Sequence, residues 1–319
     1  MRIVIVTPAK PGTRHGNRNT ALRWAAHLRA LGHRVDVVVA WSAGPHDLMI
    51  ALHARRSHAS MRAWKNANPD QPLVLVLTGT DLYRDIRSDA EAKASLDLAD
   101  RLVVLQEKGL EELRAKHRAK ARVIHQSVRA LKRRPVPKRD FLVTVIGHLR
   151  EEKDPFCAAR ALAHLPEGVN PQVVQLGGAM SADAAREAKA FMRAEPRYRW
   201  LGELDHADAM RWLVRSHAMV ISSRMEGGAH VVSEAIAAGV PVIASDIPGN
   251  RGLLGDAYPA YYPVGDDQML AALLVCAQSE PKFLAGLAKR VRARRALVNP
   301  ASERRAIRSL LGDVFPGNR

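Results

Sequence analysis

The sequence predicts an α/β protein built from two doubly wound parallel-sheet domains, and three observations carry that expectation. Short β-branched runs alternate with longer amphipathic stretches along nearly the whole chain. The runs Ile3-Val4-Ile5-Val6 and 73–77 are apolar throughout, as strands covered on both faces of a parallel sheet must be. The alternation stops once, at a basic stretch with two prolines, and then restarts. At about 150 residues per domain, 319 residues also suggest two cores.

The elements follow in order. Arg2–Val6 reads as the first strand, since it lacks the apolar core and small-residue cleavage site of a secretory signal. A helix is expected over 20–31, a strand over 34–40, another over Leu48–Leu52, a helix over 57–68 and a strand over 73–77. A helix over 89–98, a strand over 102–105, an amphipathic stretch over 108–120 and a strand over 122–125 complete the first half. Residues 129–139, with Pro135 and Pro137 and little apolar periodicity, read as the linker. The pattern resumes with strands at Phe141–Ile146, 172–176, 198–201, 218–222, 241–244 and 261–264. Helical spacing falls between them at 155–165, 181–193, 205–215 and His230–Ala238. From Met269 the pattern is helical to Leu297; Asn299-Pro300 breaks it, and 302–314 reads as a last helix capped by Ser302. Two such sheets facing each other would set the carboxyl ends of both strand sets around one crevice.

Composition excludes several classes. Apolar residues make up 47% and charged residues 25%, the balance of a folded chain. The longest unbroken aliphatic run, 73–77, is far too short to cross a bilayer, so no membrane span is expected. Cys157 and Cys276 stand far apart in apolar surroundings, which reads as buried free thiols in a reducing cytoplasm. The net charge of +17 invites a nucleic-acid partner, but its distribution argues against one. Residues 108–139 carry twelve Lys or Arg against Glu111 and Glu112, and 282–308 carry nine against Glu303 alone, so these two stretches exceed the whole excess. Only 15 aromatic residues exist, and none interleaves with the basic runs as a stacking platform would. The basic stretches fit either solvated helix faces or the focusing of anionic ligands.

Three segments carry chemistry. The first strand runs into a long basic loop with Arg14, His15, Gly16, Asn17, Arg18 and Asn19 ahead of a helix expected near Ala21, a setting in which backbone amides and cations can hold an anion. It is not the dinucleotide-binding G-x-G-x-x-G pattern. The strand ending at Ile146 leads into Gly147-His148-Leu149-Arg150-Glu151-Glu152-Lys153. Farther on, Glu226 and Glu234 straddle Gly227-Gly228-Ala229-His230 at a helix start, with Ala235-Ile-Ala-Ala-Gly-Val-Pro-Val-Ile-Ala-Ser245 behind them. A glycine backbone at a helix terminus can take a diphosphate, and Glu234 can accept both hydroxyls of a ribose; neither needs a metal.

Glu-x7-Glu followed by Ala-x-Ala-Ala-Gly-Val-Pro-Val-Ile-Ala-Ser, preceded by Gly-x-Leu-x3-Lys, resembles the GT-B glycosyltransferases of the large retaining group (glycosyltransferase family 4-like) that includes sucrose and mannosyl transferases. The resemblance covers nearly the whole chain. It implies two Rossmann-like lobes: 1–136 holding the acceptor, 137–298 holding a nucleotide-sugar donor, and 299–319 as a helix crossing back to the first. By the same resemblance Lys153 and Arg150 grip the donor diphosphate and Glu234 the ribose. Glu226 with Gly227, Gly228, Ala229 and His230 would hold the transferred sugar, Gly202 and Leu204 would lie by the base, and Gly16 would face the donor. Glu226, Arg150, Lys153 and His230 are thus the expected catalytic group, with no cofactor and no metal.

The chain departs from that pattern where the acceptor would sit. A His-Gly-x-Asp turn after the fourth strand is replaced by Thr78-Gly79-Thr80-Asp81, a Pro-Asn-Gly-Val segment by His125-Gln126-Ser127-Val128, and the Arg after the first glycine by His148. With Thr7-Pro8-Ala9 and Gly16-Asn-Arg-Asn-Thr-Ala-Leu-Arg-Trp24, these departures resemble the selenosugar synthases of selenoneine biosynthesis. That resemblance implies a UDP-sugar donor (UDP-GlcNAc or UDP-glucose), selenophosphate as acceptor, a cytoplasmic enzyme, and an acceptor site of Arg14, His15, Asn17, Arg18, Asn19, Thr78 and Asp81. A selenium anion is already ionised at neutral pH and requires no general base. Two other readings stay open: a glycosyltransferase with a hydroxyl acceptor, and a non-catalytic nucleotide-sugar or nucleic-acid binder.

Overall fold

The computed structural model describes residues 1–12 and 16–315. The chain forms two compact units. The first comprises Met1–Ser127, Glu226–Gly228 and Pro300–Arg319, and the second Val128–Met225 and Ala229–Asn299.

The first unit runs β1 (Arg2–Val6), α1 (Gly16–Ala30), β2 (Arg34–Val38), β3 (Leu48–Leu52), α2 (His58–Ala67), β4 (Leu73–Val76), a wide turn at Asp81–Asp85, α3 (Ile86–Ser88), α4 (Ala90–Leu98), β5 (Arg101–Val104), α5 (Ala115–Arg118) and β6 (Ala121–Val123). The sheet is parallel in the order β2-β1-β3-β4-β5-β6. Successive side chains of β1 enter opposite apolar layers: Ile3 and Ile5 pack with Trp24 and Leu28 of α1, Val4 and Val6 with Met61 and Trp64 of α2. That two-sided burial is why the strand is apolar at every position from Ile3 to Val6.

The second unit runs β7 (Phe141–Ile146), α6 (Cys157–Ala161), β8 (Pro171–Leu176), α7 (Ala182–Ala194), β9 (Tyr198–Trp200), α8 (His206–Arg215), β10 (Ala218–Ile221), α9 (His230–Ala238), β11 (Val242–Ser245), α10 (Pro248–Leu254), β12 (Tyr261–Tyr262), α11 (Asp267–Ser279) and α12 (Pro281–Ala293). Its sheet has the order β12-β11-β10-β7-β8-β9. The chain moves outward from β7 to β9, then returns to lay β10 against the other side of β7, so the switch point lies between β7 and β10. The last helix, α13 (Pro300–Val314), belongs to the first unit and buries Ile307, Leu310 and Leu311 beside α1.

Four features differ from the sequence reading. Helix α1 starts at Gly16, so Asn17, Arg18 and Asn19 form its first turn and are not loop. The stretch 108–120 is not one helix but a 3₁₀ turn at Glu107–Leu110 followed by the single turn α5. The helical pattern from Met269 breaks at Glu280-Pro281, where a ring without an N–H starts α12 at 102° to α11. Pro300, not the expected Ser302 cap, opens α13. Among the described residues no single helix is long and apolar enough to cross a membrane.

The basic stretches have structural work. Residues 128–139 do not hang free: Val128 N–H donates to Val298 O at 2.9 Å, Arg134 N–H to Val214 O at 3.0 Å, and the contact boundary falls at Ser127/Val128. Burial, with Arg292 nearby, pulls the Arg133 guanidinium down to about 10. Arg294 donates to Leu253 O and Gly252 O at 2.9 Å, neutralising the carbonyl end of α10, and Arg295 reaches Ile236 O of α9 at 3.4 Å. Cys157 is buried and Cys276 half-buried; burial pushes the Cys157 thiol up to about 11.

Candidate functional site

In the second unit, the ends of β7 and β10 build a turn that presents cations. Gly147 N–H bonds Leu176 O at 2.8 Å, and a Cβ on Gly177 would stand 2.1 Å from Gly147 O, so only glycine lets the ends of β7 and its other neighbour β8 approach. The chain then forms a 3₁₀ turn at Glu151–Lys153 and passes through Asp154, a non-glycine residue at φ 39°. Asp154 is held there by Arg160 at 3.1 Å, and Ser222 at the end of β10 shares its hydroxyl proton between Lys153 O (2.9 Å) and Asp154 O (2.8 Å). The Lys153 backbone is therefore fixed at the switch point, and its half-buried side chain runs along Gly147 at 3.7–3.9 Å from where a Cβ would stand. Arg150 keeps a 43% exposed side chain, 4.0 Å from Glu152.

Helix α9 places Glu234 one turn in, 4% exposed. Its Oε1 lies 2.6 Å from His206 Nε2 at the start of α8 and 3.5 Å from His230 Nε2 one turn earlier. The hydrogen bond to Glu234, opposed by partial burial, raises the His206 pKa above the usual histidine range. Glu234, read as a hand for ribose hydroxyls, is thus already engaged by imidazole. The helix stops where the Ala-Ala-Gly-Val-Pro motif requires: Gly239 adopts φ 73°, its N–H bonds Ile236 O, and Val240 N–H bonds Ala235 O at 2.9 Å. Gly202, at φ 73°, follows β9 and accepts from Gly177 N–H at 2.8 Å; Leu204 is half-buried next to it. Ala229 is buried at the head of α9.

In the first unit, the loop after β4 is organised by a fully buried carboxylate. Asp81 Oδ1 accepts from Thr78 N–H and Gly79 N–H at 2.9 Å, and Oδ2 from Ala54 N–H after β3 at 2.9 Å. Asp81, expected at the acceptor, is buried with both oxygens bonded to backbone N–H groups, while Thr78 is half-buried. The tripeptide Glu226–Gly228 lies against it: a Cβ on Gly227 would stand 2.3 Å from Thr78 O, so two backbones meet where any side chain would intrude. Glu226 is half-buried. In the first turn of α1, Gly16 and Asn19 are exposed and Asn17 half-buried; Arg18 Nη1 is buried with no hydrogen-bond partner among the described residues. Arg14 and His15 lie outside the described residues. No group of three or more His, Cys, Asp or Glu placed to hold a metal ion occurs among the described residues.

A second network lies beneath that tripeptide. Gln126 Nε2 donates to Gly228 O at 2.9 Å while its Oε1 accepts from Arg23 at 3.2 Å, and Arg23 pairs with Glu303 of α13 at 3.0 Å. Glu303, with a side chain 0% exposed, also accepts from Trp24 Nε1 (3.0 Å) and Ser127 N–H (2.9 Å) and lies 3.2 Å from His27 Nε2. The segment His125-Gln126-Ser127 thus has two tasks: one side chain holds the glycine loop and the next holds the last helix.

Two parallel six-stranded sheets in one chain, with cations at a switch-point turn and a Glu-x7-Glu helix start, define a glycosyltransferase of the GT-B fold. Residues 127–294 match the family described as glycosyl transferases group 1, and the chain belongs to that family. It is similar to sucrose-phosphate synthase from Thermosynechococcus elongatus, with a TM-score of 0.81 at 17% identity over 99% of both chains. It is also similar to HepE from Anabaena, solved with UDP and glucose, with a TM-score of 0.77 at 16% identity over 98% of this chain and 99% of that one. Glycosyltransferase 1 domain-containing protein 1 of Xenopus tropicalis is 25% identical over 272 residues, 75% of this chain and 77% of that protein.

Proposed function

We propose that the enzyme transfers a hexose or N-acetylhexosamine from a UDP-sugar to selenophosphate. The second unit binds the donor and the first the acceptor. The selenium lone pair forms the bond to the anomeric carbon, the anomeric C–O bond breaks with its electrons leaving on UDP, and water later cleaves Se–P to release the selenosugar. Lys153 and Arg150 stabilise charge on the departing diphosphate, the electrostatic contribution that dominates such transfers. The UDP-glucose complex of HepE supports the donor assignment. The observation that carries the acceptor assignment is the buried Nη1 of Arg18 in the first turn of α1, which has no hydrogen-bond partner among the described residues and is a donor suited to an oxyanion.

Incubation with a panel of UDP-sugars, with and without selenophosphate, tests this by mass spectrometry of the products. A selenophosphate-dependent selenosugar is the expected result, and turnover with hydroxyl acceptors alone would overturn it. Replacing Arg14 and Arg18 together is expected to abolish selenophosphate-dependent transfer while calorimetry still shows UDP binding; full activity in the double variant removes both arginines from the mechanism.

The His206–Glu234 contact gives a further expectation. A histidine whose pKa is raised by a carboxylate holds it most firmly when protonated and releases it as pH rises through that raised value. If Glu234 holds the ribose, protonated His206 competes, so UDP should bind more weakly below that pKa than above it. His206→Ala should flatten the profile, and Glu234→Gln should weaken UDP at every pH. Equal affinity of the Glu234→Gln protein and the parent would exclude the ribose role.

A further inference from the structure

The ends of β3 and β4 hold a constellation with no counterpart in the sequence reading. His53, the first residue after β3, has φ 75° and is 2% exposed. A left-handed backbone at a non-glycine residue is strained and persists only where its surroundings determine it. Here both ring nitrogens are committed. Arg56 N–H donates to Nδ1 at 3.4 Å, and Nε2 lies 3.1 Å from Thr80 Oγ1. Burial, opposed by Asp81 and Asp85, lowers the His53 pKa and favours the neutral ring. A neutral ring that accepts at Nδ1 carries its proton on Nε2, and that proton is donated to Thr80 Oγ1.

The threonine's own proton is then left to find an acceptor. Among the described residues no hydrogen bond takes it, and Thr80 is half-exposed where His53 is not. Three guanidinium groups and two buried carboxylates surround the pair: Arg55 Nε and Arg84 Nε stand 3.1 and 3.2 Å from the two oxygens of Asp85, whose Oδ2 lies 3.9 Å from His53 Nε2, while Arg56 and Asp81 also act on the ring, an excess of one positive charge. Such a site suits an anion. It does not suit deprotonation of a sugar hydroxyl by His53, because that imidazole is shielded and its proton points at Thr80.

We propose that Thr80 donates its hydroxyl proton to a phosphoryl oxygen of the acceptor, and that His53 is the buried positioning residue that turns this hydroxyl outward. The inference rests on the acceptor reading above and adds the side chain that recognises the anion. Thr80→Val keeps the shape and removes the donor, Thr80→Ser keeps the donor, and His53→Asn suits the left-handed backbone but cannot reach Thr80.

The experiment measures KM for selenophosphate and kcat separately at saturating UDP-sugar, with thiophosphate binding in the absence of donor as an independent readout. Thr80→Val should raise the selenophosphate KM and weaken thiophosphate by about tenfold or more, one hydrogen bond to a charged group, with the UDP affinity unchanged. Thr80→Ser should restore most of the loss. His53→Asn should match Thr80→Val, and the double variant should be no worse than either, as expected of residues acting in series. If the parent uses selenophosphate and Thr80→Val does so equally well, this inference fails alone. If the parent neither turns over selenophosphate nor binds thiophosphate, the acceptor reading fails and the inference with it.

Discussion

Glu303→Ala is expected to destabilise the first unit by about 3 to 5 kcal/mol, the effect of removing one partner from a buried ionic cluster. The carboxylate is fully shielded and meets Arg23, Trp24 Nε1, His27 and Ser127 at once. Its loss leaves a guanidinium that is 15% exposed, an indole N–H and a backbone N–H without their acceptor. For a unit of this size the midpoint of thermal unfolding should fall by roughly 10 °C. Burial alone would raise the pKa of Glu303, but His27, Arg23 and Ser127 outweigh it and hold the group at about 2. A carboxylate depressed in the folded state contributes stability that is present above its unfolded value and disappears as pH falls through its folded one. The gap between parent and variant should therefore be constant near neutrality and close between about pH 4.5 and 2. A variant that melts with the parent at pH 7 would show that α13 is held by its apolar face alone.

The same cluster marks the boundary of what the sequence makes legible. Strands such as Ile3–Val6 and 73–77 were readable because burial on two faces leaves no position for a polar residue. The stop after α9 was readable because Gly239 is the residue type a left-handed helix terminus selects. Helix α10 was not: Pro248, Gly249, Asn250 and Gly252 are poor helix formers, and its start is held by Asn250 donating to Ser245 O at 2.9 Å, a contact to the end of β11. Glu303 did carry a signal, a single acid in a stretch of nine bases, since a lone carboxylate among like charges is a natural hub. Its partners, from α1 and the segment after β6, appear only when the chain returns to the first unit.

The candidate site divides in the same way. His230 and Glu234, four apart on one helix, meet by spacing alone; His206 comes from α8 and no spacing announces it. Asp81 was found as a polar residue in a glycine turn, but its bonds run to three backbone N–H groups, so burial decides between touching a ligand and shaping a loop. His53 was missed because its departure from ordinary behaviour is a backbone angle, which a histidine in the sequence does not display.

Lys153→Ala is expected to reduce turnover by about 30- to 1,000-fold, equivalent to about 2 to 4 kcal/mol of transition-state stabilisation, by analogy with the loss of one oxyanion donor. The turn should survive the substitution, because its geometry is set by the Lys153 and Asp154 carbonyls bonded to Ser222 and by Asp154 bonded to Arg160, none of which uses the lysine side chain. Stability should change by less than ~2 kcal/mol, since the half-buried lysine stem packs along Gly147 and the carbonyls that fix the turn are held without it. Lys153→Arg should recover only part of the rate: the longer planar fork carries the charge but has to fit a turn shaped around an ammonium. If the ammonium acts on the leaving diphosphate, the loss falls on kcat and kcat/KM for the donor alike, while UDP, which already bears the charge, binds more weakly by a smaller factor. Steady-state kinetics with calorimetry of UDP separates these quantities. A Lys153→Ala protein that folds, binds UDP and turns over like the parent would move the leaving-group cation elsewhere, and Arg150, exposed on the same turn, would be the next residue to replace.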